Sequence, residues 1–504
     1  MLHIRTTKTS SKATAVQVVE YVRRKMVILI HIGSAHNEEE ILSLKRIASE
    51  WILKNDKQTS LFSILDKKTP SSLIALDKCQ YLGFRYQLLY DVLSNLSVLF
   101  KFHLLPNYKI LTDLIIARIA SPGSKIHSLE FLEGFFGIKH SRRDLYRNLA
   151  SFVPLKDEVE AKIISIAKKE FTFNFSLVFY DLTTLYFESF ESDDLRKIGF
   201  SKDNKTNQPQ IMIGLLVNDS GFPISYQTFA GNKFEGHTLM PSILALRKKY
   251  KIDEMTVVAD AAMISDENVL FLKANNLNYI VGARMANLSI SDIEKISKEL
   301  NLVDDATIRI NTPKGILICH FASNRYRKDK IEMEKQINKA KFLLKESDPN
   351  PARKRTKFLK HKDNDKNNYE LNHQLIHKAH LLLGIKGYYS NLENMPDIEI
   401  IKQYRNLWRV EKAFRISKSD LQIRPIFHFK EYSIHAHLLV CFMALAICKF
   451  IEIKTGRSIG SVLKMLRGVT DARIFDKVGK REVVLRSEIG GEVVEVLEKV
   501  GLSY

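Results

Sequence analysis

Three acidic residues lie where a carboxylate has a reason to bind a metal ion. Asp181 is in LVFYDLTTLYF, among aromatic and β-branched residues, and Asp260 ends the apolar run MTVVAD. A buried, unpaired carboxylate costs several kcal/mol, so such a residue is retained when it is paired or binds a cation. The alternatives are an edge-strand Asp181 that faces water and an Asp260 that caps a helix. Carboxylates at strand ends favour a ligand site, because sites gather at the carboxyl ends of strands.

The third acidic residue, Glu411, lies in the predicted helix IKQYRNLWRVEKAFRISKSDL. Tyr404 precedes it by seven residues and Lys418 follows it by seven, so all three are expected on one helical face. Such a face combines a metal-binding carboxylate, a phenol that donates a hydrogen bond and a cation for phosphate. Taken alone, Glu411 beside Lys412 is equally typical of an ordinary solvated face.

Two strands and a returning helix that carry these carboxylates can bind two divalent cations about 3.5 to 4 Å apart around a phosphodiester. Hard oxygen ligands favour Mg²⁺ or Mn²⁺. One ion activates a water or a 3′-hydroxyl and the other stabilises the leaving oxygen. This chemistry requires no serine, cysteine or histidine nucleophile.

The elements that must position these residues begin near Phe171, with the predicted order β-β-β-α-β-α-β. A strongly polar and basic stretch follows, in which the run from Arg353 to Lys362 contacts phosphates or forms a mobile loop. The expected segments are 1–60, a β-hairpin plus helix whose capping box is Asn37 and Glu40; 61–170, a helical DNA-binding domain; 171–284, the first part of the catalytic core; 285–396, a basic insertion subdomain; and 397–504, the final core helices and C-terminal tail.

The charge of the chain favours a nucleic acid partner. Lys and Arg number 77 against 57 Asp and Glu, a formal net charge of +20, and a broad basic surface releases counterions from phosphates. The alternative is solubility in a lysine-rich proteome.

The four cysteines form no CxxC pair, which fits a reducing compartment. The polar N-terminus has no signal-peptide pattern. The apolar run from Leu438 to Cys448 is about half the roughly 20 residues that span a bilayer, so we predict a buried core helix in which Cys441 and Cys448 are packing residues, and no membrane. His435 and His437 stand two apart and point to different faces, which makes a poor metal pair.

Three sequence blocks carry a family resemblance: YDLTTLYFES, VVADAAM and YRNLWRVEKAFRISKSDLQIRPIFH. They are similar to the catalytic blocks of DDE insertion-sequence transposases, over about Phe171 to Phe450. The resemblance implies an RNase H-like α/β core, a mixed five-stranded sheet with flanking helices, interrupted by an insertion subdomain. It also implies a Tyr-x2-Arg-x3-Glu-x6-Lys signature, in which Leu407 occupies the arginine position. Either Arg415 supplies that phosphate contact or the activity is weakened.

The function that the resemblance implies is binding of terminal inverted repeats in double-stranded DNA, hydrolytic cleavage at the element ends and transfer of the 3′-ends into target DNA. It further implies a homodimer that pairs the two ends, in the nucleoid of a bacterial cytoplasm. Trp408 lies beside the catalytic face and has two interpretations. It could stack on a displaced base, but packing in the core is the favoured interpretation. Asn232 and Glu235 in GNKFEGHTL are interpreted first as turn and cap residues. The rival functions are a nuclease or resolvase without strand transfer, and an inactive DNA-binding regulator.

Overall fold

The computed structural model describes residues 2–22, 25–55, 78–200, 207–263, 265–345, 356–362, 365–477 and 480–503. The chain divides into two compact units. The first comprises Met1–Asn95, Leu129–His140 and Gly460–Tyr504, and the second comprises Leu96–Ser128 and Ser141–Ile459. The five segments expected from the sequence do not coincide with these units, and their functional boundaries stay predictions.

The strands of the described residues are β1 Leu2–Lys8, β2 Thr14–Val22, β3 Lys25–Ala35, β4 Cys79–Arg85, β5 Leu177–Tyr186, β6 Gln210–Val217, β7 Pro223–Ala230, β8 Thr256–Ala259, β9 Asn278–Ala283, β10 Thr307–Thr312, β11 Gly315–Phe321, β12 Leu359–Lys362, β13 Asp365–Leu371, β14 Ile385–Ser390, β15 Asp471–Asp476 and β16 Arg481–Arg486. The α-helices are α1 Glu38–Asn55, α2 Gln87–Leu99, α3 Tyr108–Ala120, α4 Lys125–Phe131, α5 Arg142–Phe152, α6 Lys156–Phe171, α7 Gly236–Tyr250, α8 Asp266–Ala274, α9 Ile290–Glu299, α10 Ser323–Lys345, α11 His373–Leu381, α12 Asp397–Arg405, α13 Trp408–Arg415, α14 Glu431–Thr455, α15 Ile459–Gly468 and α16 Gly491–Lys499.

The first unit contains two small antiparallel sheets, β1-β2-β3 and β16-β15-β4. The expected hairpin is β2 and β3, and β1 adds a strand that its polar sequence did not indicate. Val16 and Leu44 are fully buried between this sheet and α1. The predicted cap of α1 is confirmed, since the Glu40 backbone N–H donates to Asn37 Oδ1 over 2.8 Å.

The second unit is built on one eight-stranded mixed sheet of order β10-β11-β14-β9-β8-β5-β6-β7. The predicted order β-β-β-α-β-α-β is confirmed by β5, β6, β7, α7, β8, α8 and β9. Strands β5, β8 and β9 run parallel, because the helices α7 and α8 return the chain between them. The remaining neighbours in this sheet are antiparallel.

The expectation of a five-stranded sheet is wrong. The segment 285–396 contributes β10, β11 and β14, and β14 pairs antiparallel with β9. This pairing satisfies the backbone groups of β9 that would otherwise lie at a sheet edge. The same segment also forms a small layer of α10, β12, β13 and α11 around buried Met333, Ala340, Phe358 and Leu383. Within the basic run, 353–355 lie outside the described residues, Phe358 is buried, and Lys360 and Lys362 are exposed.

Helix α14 lies at the centre of the helical layer, where α3, α5 and α6 pack against it. It is long and apolar enough to cross a membrane, yet 94% of its most apolar window is buried inside the protein. The prediction of a core helix is therefore confirmed. Cys441 and Cys448 are buried in it as packing residues, and His437 is buried while His435 is only partly so.

Candidate active site

The first two predicted carboxylates lie on neighbouring parallel strands, Asp181 in the middle of β5 and Asp260 directly after the end of β8. Tyr180 of β5 is in register with Ala259, the last residue of β8, so Asp181 and Asp260 occupy the next position on each strand path. Strand β5 lies between β6 and β8, and the edge-strand alternative for Asp181 is therefore wrong. The parallel register places the two residues next to each other, where β8 ends and β5 continues.

Asp181 is half-buried against an apolar wall. Its Oδ1 accepts a hydrogen bond from the Leu182 backbone N–H over 2.8 Å. The preceding Tyr180 donates to Thr238 Oγ1 over 2.9 Å, and burial raises the pKa of Tyr180 to about 12, with the charges of Asp181 and Glu235 adding to the effect. Glu235 occupies the predicted N-cap position of α7, but its side chain makes no capping hydrogen bond there. Asn232 lies in the turn that precedes this helix, as predicted.

Asp260 is exposed and accepts two hydrogen bonds at one oxygen. Oδ1 receives the Ala261 backbone N–H over 2.7 Å and the Tyr404 hydroxyl over 3.2 Å. The following helix α8 is capped by Ser265, whose side chain accepts from the Asn268 N–H. Asp260 therefore does not cap α8, but it directly precedes the short 3-10 helix Ala261–Met263, whose first N–H its carboxylate accepts. Its second oxygen, Oδ2, accepts no hydrogen bond from the described residues.

Tyr404 is buried and reaches Asp260 through a gap that only glycine leaves open. Its ring centroid lies 4.9 Å from that of Tyr388. A Cβ at Gly282 of β9 would stand 2.5 Å from the Tyr404 hydroxyl oxygen. Burial raises the pKa of Tyr404 well above its ordinary value, and the neighbouring charge of Asp260 raises it further. The phenol therefore stays protonated and donates to the carboxylate.

Lys386 of β14 is a site residue that the sequence did not indicate. Its Nζ lies 4.6 Å from the ring centroid of Tyr404. Burial lowers the pKa of Lys386, Arg325 lowers it further, and the charges of Asp260 and Glu411 act in the opposite direction. The electrostatic field of one half-buried lysine thus couples to two of the three candidate carboxylates. The sequence did not indicate Lys386 because it lies in the segment 285–396, which was interpreted as an insertion outside the catalytic core.

Glu411 is exposed on α13, which packs against β5 and β6, while α12 packs against β8, β9 and β14. These contacts direct α13 towards the strand that carries Asp181 and α12 towards the strand that ends at Asp260. The third carboxylate is therefore supplied to the same part of the sheet by a helix pair that crosses its central strands.

The expectation that Tyr404, Glu411 and Lys418 share one continuous helical face is wrong. Helix α12 ends at Arg405 and α13 starts at Trp408, and Lys418 lies in a π-helical turn over Ile416–Asp420. Tyr404 is buried, Glu411 is exposed, and Lys418 is half-buried beside a cavity that Thr183 and Leu185 of β5 also line. The three residues therefore meet different surroundings.

Two further predicted residues lie on the exposed side of α13. Trp408 is 52% exposed, so the favoured core-packing interpretation is wrong. Arg415 is exposed as well, whereas Leu407, at the arginine position of the signature, is 6% exposed and packs inward. Positive charge and aromatic surface are thus available next to Glu411 from Arg415 and Trp408.

The chemistry of the donor set fits a hard divalent cation. Among the described residues, Asp260 and Glu411 form no ion pair with a lysine or arginine, and Asp260 Oδ2 accepts no hydrogen bond. Carboxylate oxygens of this kind are the ligands that Mg²⁺ and Mn²⁺ prefer. In the part of the chain that the structure describes, no three His, Cys, Asp or Glu side chains are grouped closely enough to hold an ion. The donors are present, but a three-ligand cage is not assembled.

The fold and this site define an α/β protein with one acidic residue within a central strand, a second just after the end of the neighbouring parallel strand and a third on a helix later in the chain. Residues 174–447, more than half of the chain, match the family model described as "Transposase DDE domain". The chain belongs to this family, which confirms the resemblance seen in its sequence. The matched range includes Asp181, Asp260 and Glu411. No curated protein matches the chain.

Among solved structures, the chain is similar to a piggyBac transposase synaptic complex with hairpin DNA. The identity is 11% and the TM-score is 0.36, over 76% of this chain and 69% of that chain. A likeness at this level carries no inference about the present site. The family assignment therefore rests on the sequence match.

Proposed function

We propose that the protein is the DNA transposase of an insertion sequence, which binds terminal inverted repeats, cleaves DNA at the element ends and joins the freed 3′-ends to target DNA. The observation that carries this proposal is the β5–β8 register, in which Asp181 within β5 lies next to Asp260 just after the end of β8, in a chain of the DDE transposase family. The strand order β7-β6-β5-β8-β9 within the sheet supports an RNase H-like core, to which the insertion adds β14, β11 and β10.

The residues that would hold the catalytic metal are Asp181, Asp260 and Glu411, with two Mg²⁺ or Mn²⁺ ions per site. When bound, such ions supply Lewis-acid activation of a water or 3′-hydroxyl and stabilisation of the leaving oxygen. Tyr404 would orient Asp260 by donating to Oδ1, which leaves Oδ2 for a ligand. Lys386 would offset the negative charge that the carboxylates and a phosphodiester bring together.

The DNA would be bound by Lys418, Arg415 and Trp408 near the site, and by the wider basic surface that the net charge of +20 provides. Tyr404 is buried and its hydroxyl donates to Asp260, so its predicted DNA contact is replaced by the role of orienting that carboxylate. An exposed Trp408 favours stacking on a base over packing in the core. A homodimer that pairs two element ends, in the nucleoid of a bacterial cytoplasm, completes the proposal.

The test uses the purified full chain, Mg²⁺ and DNA from the borders of its gene. Cleavage and strand joining are compared for wild type, Asp181→Ala, Asp260→Ala and Glu411→Ala. Each substitution is expected to abolish both reactions while DNA binding persists. Glu254→Ala is the matched control, since Glu254 is an exposed carboxylate at the opposite end of β8 and its removal is expected to leave both reactions unchanged.

The outcomes separate the candidate functions. Cleavage that survives all three substitutions means that the site is wrongly assigned. Cleavage without joining identifies a nuclease or resolvase, and binding without cleavage by wild type identifies a regulator. Gel shifts with labelled border DNA and size-exclusion chromatography of the complex measure binding and the number of chains.

The signature position of Leu407 has its own test. If Arg415 supplies the missing phosphate contact, Arg415→Ala lowers strand transfer at unchanged stability, because its side chain is exposed. Leu407→Arg places a charge where the side chain is now buried, so it is expected to destabilise the fold. Undiminished strand transfer by Arg415→Ala would exclude the compensation by Arg415.

A further inference from the structure

A second cavity of the second unit has a strongly basic wall and lies outside the carboxylate site. Its volume is about 180 Å³, and its lining includes Arg118, Lys125, Arg424, His428 and His437. None of the described residues that line it is acidic. Two of these residues, Lys125 and Arg118, are buried side chains with no acidic partner among the described residues, and a buried cation without a counter-charge is costly in a folded protein.

Lys125 is the first of two buried cations that line the cavity. Its side chain is 4% exposed, and among the described residues Nζ has no hydrogen-bond or ion-pair partner. Burial lowers the pKa of Lys125 to about 7, and the charge of Arg118 lowers it further. Buried lysines are normally paired, and an unpaired one forfeits solvation without compensation.

Arg118 is the second buried cation of the cavity wall. It is 3% exposed, and its guanidinium donates to backbone carbonyls, over 2.8 Å to Gly123 and over 3.4 Å to Leu421. Its Nε is buried without a partner among the described residues. Neutral carbonyls satisfy part of the donor set but leave the positive charge uncompensated. An anion in the cavity would compensate both cations.

The two histidines of the cavity wall, His428 and His437, are neutral near pH 7 and add no positive charge. Burial lowers the pKa of His428 to about 4 and holds the pKa of His437 well below its ordinary value, and the charges of Lys125 and Arg118 add to both shifts. The ring centroids lie 5.3 Å apart, and His437 Nε2 donates to the Ile423 carbonyl over 3.0 Å. Neutral imidazoles therefore form a polar wall beside the two cations.

We propose that this cavity, lined by Lys125 and Arg118, is a phosphate-binding site separate from the carboxylate site. Its mouth carries Tyr146 and Phe427, both exposed, which leave the entrance open to a phosphate that is part of a larger molecule. Two buried cations with five or more N–H donors between them match the oxygens of a phosphate group.

The phosphate comes either from the backbone of bound DNA or from free phosphate. The DNA source rests on the proposed function, and the structure favours it through the loop that carries Phe427 and His428. In that loop the Ile426 N–H donates to the Tyr186 carbonyl at the end of β5 over 3.1 Å. Tyr186 follows Asp181 by five residues, which is roughly 15 Å along a strand, so a DNA strand at the carboxylates can extend to the cavity.

The first arm of the test titrates inorganic phosphate into the full-length protein by calorimetry at constant ionic strength. We expect saturable one-site binding that Lys125→Met and Lys125→Gln weaken by about 10-fold or more, the usual effect of losing a charged hydrogen bond. Lys109→Met is the matched control, because Lys109 is an exposed lysine on α3. Circular dichroism melting verifies that the variants fold.

The second arm measures the affinity of the same proteins for border DNA by fluorescence anisotropy at several salt concentrations. A backbone phosphate in the cavity predicts that Lys125→Met weakens binding by about 10-fold and that inorganic phosphate competes with DNA. Phosphate binding that depends on Lys125, with unchanged DNA affinity, supports the site with free phosphate as its occupant.

The proposal is overturned if Lys125→Met and Lys125→Gln leave both phosphate binding and DNA affinity as in wild type. It is likewise overturned if phosphate binds but Lys109→Met weakens binding as much as Lys125→Met does. Neither arm depends on cleavage or strand joining, so failure of this site and failure of the proposed transposase activity give different results.

Discussion

The hydrogen bond between Tyr404 and Asp260 gives a prediction in which two substitutions should act through one contact. In Gly282→Ala, the added Cβ would stand 2.5 Å from the Tyr404 hydroxyl oxygen, and ordinary contacts begin near 3.4 Å. The hydroxyl must retreat by roughly 1 Å, which breaks a bond that is already 3.2 Å long. Tyr404→Phe removes the same bond directly and keeps the ring against Tyr388.

The magnitude follows from the kind of bond. A hydrogen bond to a charged group contributes about 1.5 to 3 kcal/mol, and the length of this one favours the lower end, so each single variant should cleave border DNA about 10-fold more slowly. In the Tyr404→Phe background the nearest ring atom to the new Cβ is Cζ at 3.1 Å, which requires a much smaller shift. The double variant should therefore cleave about as slowly as Tyr404→Phe alone.

The assay is single-turnover cleavage of border DNA in Mg²⁺, with urea unfolding of each variant to separate loss of activity from loss of stability. A thermodynamic cycle over the four proteins gives the coupling between the two positions. Losses that simply add in the double variant, or a Tyr404→Phe variant that cleaves like wild type while Gly282→Ala does not, would refute the reasoning.

Three further predictions concern single lysines and the exposed tryptophan. Lys386→Met should slow single-turnover cleavage by about 10-fold without lowering the unfolding midpoint, because it removes a half-buried cation beside two carboxylates; an unchanged cleavage rate would remove Lys386 from the site. The folded-state pKa of Lys125, about 7, lies below its unfolded value, so the unfolded chain binds more protons between pH 7 and about 10 and the free energy of unfolding should rise with pH in that range. Urea unfolding should show this rise in the free energy of unfolding for wild type, and a smaller rise for Lys125→Met or in saturating phosphate. The titratable and charged groups that face Lys125 are Arg118, His428, His437 and Cys441. Trp408→Ala should change the free energy of unfolding by less than about 0.5 kcal/mol and weaken single-stranded DNA binding, measured by anisotropy, by about 1 to 3 kcal/mol. A large loss of stability in urea unfolding with unchanged DNA affinity would indicate a packing role.

The two aspartates could be selected from the sequence because each depends on a local pattern, and their role stays a prediction. An acidic residue inside an apolar strand and another at the end of one are visible without knowledge of the fold, and the spacing of Glu411 indicated a helix. The position of Asp181 in an inner strand, in contrast, depends on which strands pair. That pairing was implied by the family resemblance and is now seen in the register with β8.

The rest of the site depends on contacts between distant parts of the chain. Lys386 reaches the carboxylates only because β14 pairs with β9, about a hundred residues earlier in the chain. The break between α12 and α13 falls at Asn406 and Leu407, without a proline or glycine to indicate it. Trp408 is the first residue of α13, directly after this break, and its side chain is 52% exposed.

The pairing of β14 with β9 also decides how this chain can be shortened. Tyr279, Ile280 and Val281 of β9 are almost fully buried, and β14 covers the only side of this strand that β8 leaves open. Excising 285–396 would turn β9 into an apolar edge strand, the feature that templates aggregation between sheets. A minimal version of the protein must therefore keep β14 and the connections that return it to the sheet, so the segment 285–396 is part of the scaffold that holds the carboxylates.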